Sequence, residues 1–212
     1  MKNKRIILIG GGDLCREFLS LLENSNKEFN PENLFYLDEE IKKFTNVDLN
    51  PNYLGKLSDF ILKNDDIIYL TISNPKQKFN ILKNFPELRK NVHTFIHPSC
   101  IISKSAIIGK GCILFPYCYI SESVTINDFV HLNSYVGVGH DCIISEYTTI
   151  SAQVDIAGHC FLDTGTFMGS GSRIIPGKKI GEFSSVGAGS VVIKNLKKNI
   201  NVFGNPAKKI IT

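Results

Sequence analysis

From Ile101 to Leu196 the chain divides, without a gap, into sixteen hexads, running from IISKSA and IIGKGC through GVGHDC and DIAGHC to SVGAGS and VVIKNL. The second residue of every hexad is aliphatic or methionine, and the last is nearly always small or β-branched. A period of six fits neither the 3.6-residue turn of an α-helix nor the two-residue alternation of a strand. Hexapeptide repeats of this kind build a parallel β-helix, with each hexad as one flat face and three hexads as one coil. The aliphatic position fills the interior and the small position turns in beside it. Stacked at the strand spacing of about 4.8 Å, the run makes roughly five coils.

The repeat also accounts for most of the cysteines. Cys112, Cys118, Cys142 and Cys160 end their hexads, and Cys100 does so if the frame extends one hexad back. Cysteine serves there as a small hydrophobe. Cys15 lies elsewhere, in a turn that leads into a helix. No CxxC pair or metal spacing is present, so we assign no disulfide, metal or nucleophile to any cysteine.

Residues 1–94 follow a different rhythm. Arg5 to Ile9 reads as a buried strand, Gly10-Gly11-Gly12 as a tight turn, and Asp13 as the cap of a helix with Leu14, Phe18, Leu21 and Leu22 on its apolar face. Leu34–Leu37 is a second strand ending at Asp38, and Asp66–Ser73 a third. NPKQKFNILKNF follows as a helix with Pro75 near its start, and Val92–Ile96 is a short last strand. Alternating strands and helices imply a parallel sheet with ligands at the strand C-termini. The chain therefore reads as α/β plus all-β: a small Rossmann-like βαβ domain over 1–94, then a parallel β-helix over 95–212.

Composition narrows the functional classes. The apolar run at 6–10 is too short to cross a bilayer. It also ends in glycines rather than in a cleavage site, so the N-terminus reads as a first strand and the protein as cytoplasmic, with no membrane partner. The net charge of +4 is spread along the chain, and no basic run is interleaved with aromatics, so nucleic acid is not an expected partner.

The segments IILIGGG, FYLDEE, FIHPSCIISKSAIIGKGC, HLNSYVGVGHDC, IAGHC, SVGAGSVVIKNL and VFGNPAKKI together resemble the sugar O-acyltransferase family of hexapeptide-repeat enzymes. That family includes sialic acid O-acetyltransferases and N-acetyltransferases of nucleotide-linked 4-amino-sugars. The resemblance implies a left-handed coil, a homotrimer with active sites between adjacent β-helices, and acetyl-CoA as co-substrate without a metal.

The resemblance also implies site residues. His140-Asp141 in GVGHDC matches the family's catalytic pair, with His140 as general base and Asp141 tuning it. One coil before His140 stands Glu122 and one coil after it Gly158, so Glu122 is a second candidate to orient the ring and Gly158 would leave space above it. Adjacent strand residues point to opposite sides, so Asp141 reaches His140 only if the pair lies at a corner. Asn133 matches an asparagine beside the acceptor amine, or else stabilises a turn. Gly158, Gly169, Gly187 and Ala188 are candidates for close backbone approach to the coenzyme, and Lys208 for its phosphates, with Lys178, Lys179 and Lys209 alongside. In the first domain Gly10, Gly12, Asp38, Ser73 and Asn74 are expected to hold the acceptor's nucleotide.

Some positions depart from the family pattern. Asp13-Leu14-Cys15 stands where Gly-His-Gly or Gly-His-Ala is usual, Thr149 where a histidine is usual, and Leu162-Asp163 where Ile-Gly is usual. The leading expectation is N-acetylation of a nucleotide-linked amino-sugar. The alternatives are O-acetylation of a sialic-acid-like sugar or other hydroxyl acceptor, and a non-catalytic trimeric scaffold. A β-helix carbonic anhydrase would need three zinc histidines, which the spacing of His131, His140 and His159 does not suggest.

Overall fold

The computed structural model describes residues 4–25, 30–44 and 48–210, and the chain divides into two compact units. Residues 1–73 with 80–93 form the first, and residues 74–79 with 94–212 the second.

The first unit is a four-stranded parallel sheet of order β3-β2-β1-β4, built from β1 (Ile6–Ile9), β2 (Leu34–Leu37), β3 (Asn52–Gly55) and β4 (Ile67–Leu70). Ile6 pairs with Leu34 on one side and Ile67 on the other. Every residue of β1 is buried, the unbroken apolar run expected of a central parallel strand. Helix α1 (Asp13–Ser25) buries Leu14, Cys15, Phe18, Leu19 and Leu22. Leu21, expected on that face, is only half-buried, because the face is centred one position round the helix. Arg5 closes the base of the sheet by donating from Nε and a terminal nitrogen to the two oxygens of buried Asp66, each at 2.8 Å.

Two sequence expectations change here. β3 was not foreseen: NYLG has no alternation and ends in glycine, a composition that reads as loop. The expected strand Val92–Ile96 does not exist as one piece. Val92 makes a single bridge to Ile68, whereas Phe95–Ile96 pairs with Ile113–Leu114 and begins the β-helix. The hexad frame thus extends back to FIHPSC.

In the second unit strands of two residues, and one of three, stack into sheets of five, eight and six strands. The registers join residues eighteen apart, Ile107 to Thr125 to Ile143 to Phe161 to Lys179. The second and last hexad positions form one buried core, with Leu114, Ile126, Leu132, Ile144, Ile150 and Met168 fully enclosed. The buried thiols of Cys112, Cys118 and Cys142 donate to the carbonyls of Asn127, Asn133 and Ala157, at 3.1–3.2 Å. All six cysteines are free. Lys178, in the small column, is half-exposed, and its carbonyl accepts from the Phe161 amide in ordinary register. The fifth hexad position turns each corner: from Tyr117 to His159, every sixth residue has φ near +60°.

Helix α2 (Pro75–Asn84) starts in this unit. Lys78 is buried and donates to the carbonyls of Phe129 (3.0 Å) and Thr148 (3.1 Å). Phe79 meets Tyr147 and Phe183 edge-on. Nothing in NPKQKF points to these contacts, since it reads as a solvated first turn.

Candidate functional site

His140 and Asp141 occupy a coil corner. Asp141 has φ +58°, and this left-handed turn lets two consecutive side chains project together. The His140 Nδ1 lies 2.7 Å from Asp141 Oδ2. If the carboxylate accepts from Nδ1–H, Nε2 is left with a free lone pair. Gly158, one coil on, faces the ring: a Cβ there would stand 2.7 Å from Nε2 and 2.8 Å from Cε1.

His159 joins the cluster. Its ring meets that of His140 edge-on at 4.8 Å between centroids, and its Nδ1 lies 3.8 Å from Asp141 Oδ2. The sequence carries the signal, since Asp141 and His159 are eighteen residues, or one coil, apart. The Glu122 carboxylate does not bond to His140; it accepts from the Ser121 hydroxyl at 2.7 Å. That bond, more than the His140 imidazole, holds its pKa below the usual carboxylate value.

The remaining candidates scatter. Asn133 Oδ1 accepts from the Ser134 amide at 2.6 Å, which is the turn-stabilising arrangement. A Cβ on Gly169 would meet the Ala188 amide nitrogen at 2.6 Å, and one on Gly187 would run into Phe203. Packing of one coil on the next therefore requires both glycines before any coenzyme is considered. Ala188 and Lys208 are exposed.

His131 is enclosed against Phe115, and neither ring nitrogen has a hydrogen-bond partner. Burial, with the Lys78 charge adding, pushes its pKa down to about 3. It takes no part in the corner cluster found among the described residues.

In the first unit Gly10 has φ +99°, and a Cβ there would lie 2.7 Å from Ile72 Cγ1. Gly12 is open. Asp38 Oδ2 accepts from the Gly11 amide at 2.8 Å, and its other oxygen lies 3.7 Å from Lys42 Nζ, so the acid closes the glycine turn. Ser73 is exposed; Asn74, expected in the first domain, falls instead in the second unit, where its Oδ1 accepts from the Gln77 amide. A groove of about 600 Å³ along α1 is lined by Asp13, Arg16, Glu17, Glu23 and Asp48, among others. Its acidic wall is unsuited to a phosphorylated ligand.

No family model matches the chain. A stretch of 46 residues is 37% identical to the galactoside O-acetyltransferase of Lactococcus lactis, covering 22% of each protein, and the chain spans about a fifth of the length of the curated relatives it matches. Structural similarity is far broader. The acetyltransferase domain of PglB from Neisseria gonorrhoeae superposes with a TM-score of 0.83 at 23% identity, covering 98% of this chain and 100% of that one. WeeI from Acinetobacter baumannii gives 0.87 at 22% identity over 98% and 100%. PerB from Caulobacter crescentus, solved with CoA and GDP-perosamine, gives 0.84 at 22% identity over 99% and 98%. These establish the architecture: the chain has the β-helix fold found in hexapeptide acetyltransferases. Among the described residues no helix is long and apolar enough to cross a membrane.

Proposed function

We propose that the protein is an acetyl-CoA-dependent N-acetyltransferase acting on the amine of a nucleotide-linked amino-sugar, with His140 as general base. The observation that carries this is the 2.7 Å contact of His140 Nδ1 with Asp141, which leaves Nε2 free beside Gly158. As the acceptor nitrogen attacks the thioester carbonyl, its proton passes to Nε2, and Asp141 steadies the imidazolium. Collapse of the tetrahedral intermediate breaks the C–S bond, and the imidazolium returns the proton to the departing thiolate. The broad likeness to PglB, WeeI and PerB supports the substrate class, since PerB was solved with CoA and GDP-perosamine.

Residues 1–94, as a Rossmann-like domain, hold the nucleotide, with Gly10, Gly12, Asp38, Ser73 and Asn74 the candidates to touch it. The β-helix of 95–212 carries the acetyl transfer. The coil is left-handed, the assembly a homotrimer and the setting cytoplasmic. Ala188 and Lys208 are the exposed candidates for the coenzyme, whereas Gly158 gives its space to the His140 ring. A second reading, transfer to a hydroxyl, is favoured by the match to a galactoside O-acetyltransferase.

The test is thioester cleavage of acetyl-CoA with a panel of UDP-, GDP- and dTDP-linked amino-sugars and of hydroxyl sugars, a galactoside among them, using wild type and His140→Ala. Cleavage with one amino-sugar, lost in the variant, supports N-acetylation. Cleavage only with hydroxyl acceptors favours the second reading, and none at all favours a scaffold.

A further inference from the structure

Asp141 Oδ2 stands between two imidazoles, 2.7 Å from His140 Nδ1 and 3.8 Å from His159 Nδ1. The ligand-type atoms of the three residues lie within 4.8 Å of one another. We propose that His140, Asp141 and His159 form a three-ligand site for a borderline divalent cation of the zinc type, bound through His140 Nδ1, Asp141 Oδ2 and His159 Nδ1.

Two imidazoles and one carboxylate oxygen are the donor set that zinc and its neighbours accept, whereas magnesium and calcium favour oxygen alone. With metal–ligand bonds of about 2.0–2.2 Å, adjacent donors of a tetrahedral ion stand roughly 3.3 Å apart. The two contacts of Asp141 straddle that value, so one opens and the other closes by about half an ångström, while the two imidazoles, with ligand atoms within 4.8 Å of each other, draw together.

The backbone already holds the ligands in place. The Asp141 amide donates to the Glu122 carbonyl at 3.0 Å, and the His159 amide to the His140 carbonyl at 2.9 Å. In the single chain about half of each side chain is exposed, between 48% and 64%, which leaves room for an ion and its waters.

Loading has a chemical consequence, which rests on the proposed role of His140. A neutral imidazole that coordinates through Nδ1 keeps its proton on Nε2. The loaded chain then has no lone pair to take the acceptor's proton, and the ion blocks transfer.

Equilibrium dialysis of the purified full chain against zinc chloride at about pH 7.5, where free imidazole is mostly neutral, tests the site without any substrate. The expected result is one zinc per chain, undisturbed by excess magnesium, with affinity lowered roughly tenfold or more in both His159→Asn and Asp141→Asn. Asparagine tolerates left-handed corners, and an unchanged thermal midpoint confirms folding. No zinc binding by wild type overturns the site. Equal binding by wild type and His159→Asn does so too, by placing the ion on other residues. In a second arm, acetyl-CoA thioester absorbance is followed with zinc and then with chelator. Loss and recovery of cleavage are expected; binding that leaves cleavage intact overturns the blocking role alone. Because dialysis needs no acceptor, failure of the metal site and failure of the acetyltransferase reading are told apart.

Discussion

Gly158 and His140 are matched across a coil: the glycine's missing side chain is the space the imidazole fills, with Nε2 only 2.7 Å from where a Cβ would be. Gly158→Ala should push the half-exposed ring off its present position. Thioester cleavage is expected to fall by roughly 10- to 100-fold, the scale of a 1 Å misplacement, with little change in thermal midpoint. Unchanged cleavage would mean that the ring position does not matter to the chemistry.

Asp141 and Glu122 make opposite predictions. Asp141→Asn presents an amide donor to Nδ1, which fixes the proton on Nε2 and removes the base. The turnover number should drop by about two to four orders of magnitude, with KM little affected. Glu122→Gln should stay near wild type, because that carboxylate is engaged with Ser121. Steady-state kinetics of both variants decide between the two acids.

The buried pair His131 and Lys78 sets a pH dependence of stability. His131 titrates at about 3 in the fold against an ordinary value of 6.5. Below pH 6.5 the unfolded chain therefore takes up a proton that the native one refuses. Stability contributed above pH 6.5 is lost as pH falls towards 3, at up to about 1.4 kcal/mol per unit. Urea denaturation at pH 7 and pH 5 should show wild type losing about 2 kcal/mol more than His131→Gln.

Lys78 behaves the same way in another window. Burial pulls it from 10.5 down to about 7. Its contribution is complete above 10.5 and is lost as pH falls to 7, a slope that Lys78→Met should abolish. An unchanged slope in the variant would show that the ammonium stays charged, held by the Phe129 and Thr148 carbonyls.

Gly165 and Gly171 share φ +66°, but only Gly165 has a neighbour in the way: a Cβ there would run into the Phe183 ring, and at Gly171 it meets nothing within 4 Å. Gly171→Ala should cost about 1–2 kcal/mol of backbone strain. Gly165→Ala should cost about 1–3 kcal/mol more, for overpacking among Phe183, Tyr147 and Phe79. Equal midpoints in chemical denaturation would refute this difference.

The β-helix was legible because its period is written directly in the residues, and interior Leu132, Ile144 and Met168 all fall where the second hexad position puts them. What escaped depended on contacts distant in sequence. Lys78 looks solvated until the Phe129 and Thr148 carbonyls are placed beside it. Phe95–Ile96 continues VHTFI as a strand, and only its pairing with Ile113–Leu114 assigns it to the coil. At the corner, His140-Asp141 came from the family motif. His159 follows from adding one coil to Asp141, which the departures from that motif did not suggest. Gly169 and Gly187 looked like backbone opened for a ligand, and only the stacked coil shows what lies against them.

The left-handed corners carry a wider consequence. An ordinary residue in that conformation costs about 1–2 kcal/mol, yet from Tyr117 to His159 eight successive corners hold side chains other than glycine. Phe129 and Tyr147 are buried and stacked on each other, but the exposed corners, such as Tyr117, Tyr135 and His159, lie outside the interior columns and can vary without disturbing them. A lineage built on this scaffold can drift from one chemistry to another by exchanging the residues it displays there, while the stack beneath them is inherited unchanged.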